Sequence, residues 1–145
     1  MTTSVRSTVL VIAGLILLAN TPGAQVRPGG GPASIEEAVL TTNAEMTRAG
    51  EAVDADRLFS FMLDTDKGSV IQNGVFLVTR DDALQRVKAS LRGFSKIEYH
   101  WKRQHVTVLS AEAALLTAEG ESVATTTDGR IFTAPFAQTI VFVMR

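Results

Sequence analysis

The sequence predicts an α+β fold, a cone-shaped, strongly curved antiparallel sheet wrapped around N-terminal helices, and three observations carry that prediction. Apolar residues recur at helical spacing between Ser34 and Gly93, broken by one short hairpin pattern. From Lys96 onward the chain alternates with the period of a strand. The apolar face of the first long strand changes side part-way: Ile97, Tyr99 and Trp101 share one parity, Val106 and Val108 the other. A bulge between Lys102 and His105 would reverse the alternation, and bulges bend strands enough for a sheet to curl around helices. Helices grouped ahead of a meander place the helices on one face of the sheet.

The first two dozen residues stand apart. Arg6 supplies a positive charge, Thr8 to Ala19 form a continuous apolar run, and Asn-Thr-Pro-Gly-Ala-Gln follows. A run of about a dozen apolar residues is short for a membrane span, which needs about 20, and suits the apolar stretch of an export signal. Residues 1–24 are therefore expected to be a signal peptide, cleaved after Gly23 or Ala24, and the protein to be exported, periplasmic or extracellular. An uncleaved anchor is the alternative. Residues 25–33, rich in Gly and Pro, read as a flexible linker, and 34–145 as one domain.

Ser34 is expected to cap the first helix, with Glu37 completing a capping box, and Ile35, Ala38, Val39, Thr42 and Met46 mark its apolar face up to Gly50. Asp54 caps a second, short helix with Leu58, Phe59 and Met62 inward. Ser69 to Val78 read as a hairpin around Asn73-Gly74. Thr79 caps a third helix, whose acids precede its bases as the helix dipole favours. Ala83, Leu84, Val87 and Leu91 form its buried stripe, and Gly93 stops it. Three long strands follow, the last two joined by a turn at Asp128-Gly129. In the final segment Ile140, Phe142 and Met144 face one side and Val141 and Val143 the other, the pattern of a strand covered on both faces.

Composition excludes several functions. Lys and Arg number 14 against 15 Asp and Glu, and no cluster is denser than Lys102-Arg103, too little to track a nucleic-acid backbone. Cysteine is absent, which removes disulfides, thiol nucleophiles and thiolate metal sites together.

The stretches TRAGEAVDADRLFSFM, DTDKGSVIQNGVFLVTRDDALQRV, HVTVLSAEAALLTAEG and AQTIVFVMR, in that order, resemble the nuclear transport factor 2-like superfamily in its SnoaL-like branch. The resemblance implies a curved sheet around a long first helix with a pocket at the open end. It also implies a further Trp-containing strand that this sequence does not carry. The expectation is therefore a fragment, a natural truncation, or a subunit whose open last edge another chain covers, most simply as a homodimer through the sheet.

Enzymes of that superfamily use acids, bases and tyrosines on strands inside the cone. Isomerases use an Asp base with a Tyr and a protonated Asp, but every Asp of this sequence falls at a cap, turn or loop start, and Tyr99 is the sole tyrosine. Dehydratases using two Tyr and two His, and epoxide hydrolases using an Asp-Arg-Asp set, are not matched either. Arg103 lacks flanking strand aspartates. Tyr99 and Trp101, two residues apart on one face, could line a ligand pocket, with ordinary packing against the first helix as the plainer account. His100 and His105 are the candidate catalytic acids or bases, with half-exposed strand histidines as the plainer account. Their spacing and the lack of a nearby acid give no metal site. Gln138, polar within an apolar strand, is either a ligand contact at the cone mouth or a structural inter-strand bond. Glu119-Gly120-Glu121-Ser122 reads as an exposed bend. Were it a strand, its two carboxylates would share a face and raise each other's pKa. No cofactor is implied. The leading expectation is an apolar pocket that binds a small molecule. An isomerase, cyclase or dehydratase using His100 or His105 with Tyr99 is the alternative, and a dimeric interaction module the third.

Overall fold

A computed structural model describes residues 16–20, 31–64, 70–72 and 75–144. The expected cleavage site, most of the linker, the Asn73-Gly74 turn and Arg145 lie outside the described residues.

Helix α1 runs Pro32–Glu51. It starts two residues before the expected cap: Gly31 is the N-cap and Ser34 sits in the first turn, its Oγ donating to the Gly31 carbonyl at 2.7 Å. Proline explains the shift, because Pro32 has no N–H to satisfy and its fixed φ suits the first helical position. The other end also runs past Gly50. Val53 N–H donates to the Gly50 carbonyl and Asp54 N–H to the Ala49 carbonyl, the paired bonds of a Schellman motif. That motif places Val53 at φ 57°, a conformation costing a β-branched residue about 1–2 kcal/mol. The tight reversal leaves Asp54 free to cap α2 (Ala55–Ser60), accepting from Arg57 N–H. Thr79 caps α3 (Arg80–Leu91) through Asp82 N–H, as expected. Arg80 also donates two bonds to the Phe59 carbonyl, at 3.0 and 2.7 Å, tying the start of α3 to the end of α2.

Strands β2 (Val70–Gln72) and β3 (Val75–Leu77) form the expected antiparallel hairpin. Val70 and Leu77 turn inward and are buried, while Ile71 and Phe76 face out. The main sheet has the order β1-β6-β5-β4. Strands β4 (Phe94–Val108), β5 (Ala113–Thr126) and β6 (Ile131–Val143) are antiparallel neighbours. The sheet is open, and with the helices before it the architecture is the predicted α+β class. The turn into β6 has Gly129 at φ 84°, which glycine adopts without strain.

The predicted bulge is present. Trp101 pairs with Gly120, but Arg103 pairs with Glu119, so Lys102 is the extra residue. Before it Ile97, Tyr99 and Trp101 face α1; after it Gln104, Val106 and Val108 do. On the same inner face lie Leu116, Ala118, Ile140 and Phe142, which join Val39, Met46, Phe59 and Phe61 in one core. The outer face carries His100, Arg103, His105, Thr117 and Glu119.

Two further expectations are corrected. Glu119 to Ser122 are not a bend. They continue β5, paired on both sides with β4 and β6, and that double pairing outweighs the low strand preference of Gly and Glu. The edge of β6 is also partly closed. Strand β1 (Ile16–Asn20), within the expected signal segment, pairs in parallel with Thr139–Val143. The rest of β6, from Ile131 to Gln138, has no neighbour on that side among the described residues. Pro135 lies in this open half, where a residue without an N–H is tolerated.

Candidate functional site

The sequence-selected residues divide between the two faces of the sheet. On the inner face, Tyr99 and Trp101 stack with ring centroids 6.4 Å apart, and both meet the edge of Phe136, at 5.5 and 5.0 Å. Gly120 makes this possible. It lies between Trp101 and Phe136 in the register, and a Cβ there would sit 3.0 Å from the Phe136 ring and 2.5 Å from the His100 carbonyl. The end of α1 completes the surroundings. Gly50 lets the Tyr99 ring approach to within 3.1 Å of where its Cβ would be, and the Glu51 carboxylate accepts the Tyr99 backbone N–H at 3.1 Å. Burial, and then the Glu51 charge, push the Tyr99 phenol above its ordinary pKa. The phenol therefore stays protonated near neutral pH.

Next to the aromatic group lies an amide cluster that the sequence did not disclose. Asn43, 2% exposed, donates from Nδ2 to Gln104 Oε1 at 2.9 Å and accepts at Oδ1 from Gln138 Nε2 at 3.2 Å. One helix residue thus holds the two strands flanking β5. Gln138 is therefore bonded from sheet to helix, not between strands. The signal available in the sequence was Asn43 itself, a polar residue on the apolar face between Val39 and Met46.

On the outer face, an open cleft of about 1190 Å³ runs from Ile71 of the hairpin across the middle of β4, β5 and β6. Lys102, Arg103 and His105 line its β4 side. Glu119, Pro135 and Ala137 continue the wall. Phe136 and Gln138 border it as well, whereas Tyr99 and Trp101 are not among its lining residues. Arg103 Nε donates to Glu119 Oε1 at 2.9 Å. That bond and the adjacent positive charge hold the Glu119 carboxyl below its usual pKa, the reverse of the elevation expected for two carboxylates sharing a face. Glu121 lies opposite His100 instead. His100 and His105 both occupy the outer face, away from Tyr99. A Tyr–His pair acting on one small molecule would have to reach through the sheet. Among the described residues no group of three or more His, Cys, Asp or Glu could hold a metal ion, and no helix is long and apolar enough to cross a membrane.

Residues 39–145 match the family model described as a SnoaL-like domain. No curated protein matches the chain. Among solved structures, a candidate dehydratase of the NTF2-like family from Streptomyces avermitilis aligns with a TM-score of 0.61 at 15% identity, over 78% of this chain and 98% of that one. An NTF2-like superfamily protein from Salmonella enterica gives 0.60 at 9% identity, over 78% and 92%. A candidate scytalone dehydratase from Novosphingobium aromaticivorans gives 0.59 at 9% identity, over 77% and 85%. At these identities the likeness is one of fold.

Proposed function

The chain belongs to the SnoaL-like domain family, and from that premise we propose that it is an exported domain that binds a small molecule in the outer-face cleft without transforming it. The observation that carries this reading is the cleft itself. Its volume of about 1190 Å³ matches or exceeds that of typical small-molecule pockets, roughly 300–1,000 Å³. Apolar Ile71, Pro135 and Ala137 line it together with a few charged groups, the mixture that binds an apolar body and fixes its orientation. A carboxyl acting as a general acid needs a pKa raised towards neutrality, and the Glu119 carboxyl is shifted the other way. Tyr99 and Trp101 pack with Phe136 on the inner face, outside the cleft lining.

The test is a screen of small apolar molecules by amide chemical shift. Ligands should move the resonances of Thr117, Ala137 and Thr139 and leave those of Ala83 and Val87 on α3 unmoved. A substantial library that shifts none of the cleft amides, or a bound molecule that is chemically converted, would overturn the reading.

Export rests on Arg6 and the apolar run from Thr8 to Ala19. It has a structural consequence, because cleavage after Ala24 removes β1 and bares the backbone of Thr139–Val143. A bare strand edge recruits another strand. Mass spectrometry of the exported protein should give an N-terminus near Gln25, and light scattering should give that species the mass of a dimer. An exported chain that retains Met1, or a monomeric processed chain, would refute this part of the proposal.

A further inference from the structure

We infer that the cleft selects molecules carrying a carboxylate on an apolar body, with Lys102 as the counter-ion. This rests on the cleft being the binding site. Sequence alone makes Lys102 an ordinary member of a strand alternating between faces. The bulge changes that. With Trp101 inward and Arg103 paired to Glu119 on the outer face, the extra residue sets a second cation beside the first at the cleft wall. Bulges re-aim side chains in this way next to binding sites.

The charge count then favours an anion. Of the residues lining the cleft, Lys102 and Arg103 are the basic side chains besides His105, and Glu119 alone is acidic. Glu119 is committed to Arg103 by a 2.9 Å ion pair. Lys102 makes no salt bridge among the described residues; its charge also acts on Glu119, but two cations against one carboxylate leave a net positive charge on a largely apolar wall. Ile71, Pro135 and Ala137 supply that wall, and the hydroxyls of Thr117 and Thr139 stand on the strands between. A neutral apolar ligand would leave the ammonium idle. An amine would meet it as a like charge. A carboxylate gains a charge-assisted hydrogen bond from Lys102 while its apolar part covers the proline and alanine surface.

The experiment titrates the uncleaved chain with decanoate, 3-phenylpropanoate and cholate, each beside its uncharged alcohol, with decylamine as the cationic control. The readout is again the amide shifts of Thr117, Ala137 and Thr139. The carboxylates should bind roughly tenfold more tightly than their alcohols, and added salt should narrow the gap. Lys102→Glu should abolish the preference and Lys102→Gln should reduce it, with the melting temperature of both variants unchanged. Equal binding of acids and alcohols, or tighter binding of decylamine, overturns the carboxylate inference and leaves the cleft as the binding site. A preference that survives Lys102→Glu overturns the role of Lys102. No binding by this panel, when other molecules in the broad screen occupy the cleft, overturns the inference alone. An empty cleft in both experiments overturns the proposed function with it.

Discussion

Gly120→Ala is expected to destabilise the protein by about 3 kcal/mol or more, the upper part of the range for overpacking a filled interior. The added methyl would lie 2.5 Å from the His100 carbonyl and 3.0 Å from the Phe136 ring. The first obstacle is backbone, held in the ladder between β4 and β5, and it cannot rotate away. The second is a ring wedged against Trp101 and Tyr99, so moving it breaks both edge contacts. Urea denaturation measures the loss, and the melting temperature should fall by roughly 10 °C or more. Glu119→Ala, one residue away on the exposed face, is the control. It removes one exposed ion pair, which solvent screens, and should leave the melting temperature close to that of the parent. A Gly120→Ala variant as stable as the parent would show that Phe136 does not occupy the space above Gly120.

Trp101→Ala should cost about 3 kcal/mol, the lower end for losing a large aromatic from a core, because Trp101 is only partly buried while it touches the core cluster. The loss comprises the stack on Tyr99, the edge contact with Phe136 and the apolar area beneath the ring. Affinity of the folded fraction for cleft ligands should stay near that of the parent, since Trp101 is not part of the lining. Equilibrium unfolding and shift titrations together separate the two roles. A variant of parental stability that no longer binds would put Trp101 in direct contact with the ligand and move the site to the inner face. Trp101 is the sole tryptophan, so its fluorescence follows unfolding of the parent without ambiguity.

Local pattern determined a good deal of this protein. Asp54 and Thr79 cap the helices they were expected to cap, because a cap bond spans only two or three residues and its chemistry is written in the side chain itself. The bulge at Lys102 was legible because face-switching between Trp101 and Val106 is a property of one strand. The order of helices, hairpin and long strands, and with it the fold class, followed from the same short-range periodicities.

What lay beyond reach depends on which residues of distant segments face each other. Asn43 meets Gln104 and Gln138 across separations of 61 and 95 residues. Only the register of β4, β5 and β6 puts the two glutamines on either side of Ala118, beneath one point of α1. Glu119 to Ser122 have weak strand preference and read locally as a bend, yet two flanking strands satisfy their backbone groups and hold them extended. Gly120 shows no local reason to be glycine. Its need for a bare Cα arises from the His100 carbonyl on one neighbour and the Phe136 ring on the other, and that juxtaposition exists only when the sheet is assembled. The start of α1 differs from the sequence expectation for a nearer reason, since Pro32 supplies the first turn better than Ser34 supplies a cap. The cleft belongs to the same long-range class. Ile71, Lys102, Glu119 and Ala137 come from four separate strands, and no periodicity within any one of them encodes the space between them, which forms only when tertiary packing fixes the hairpin against the sheet.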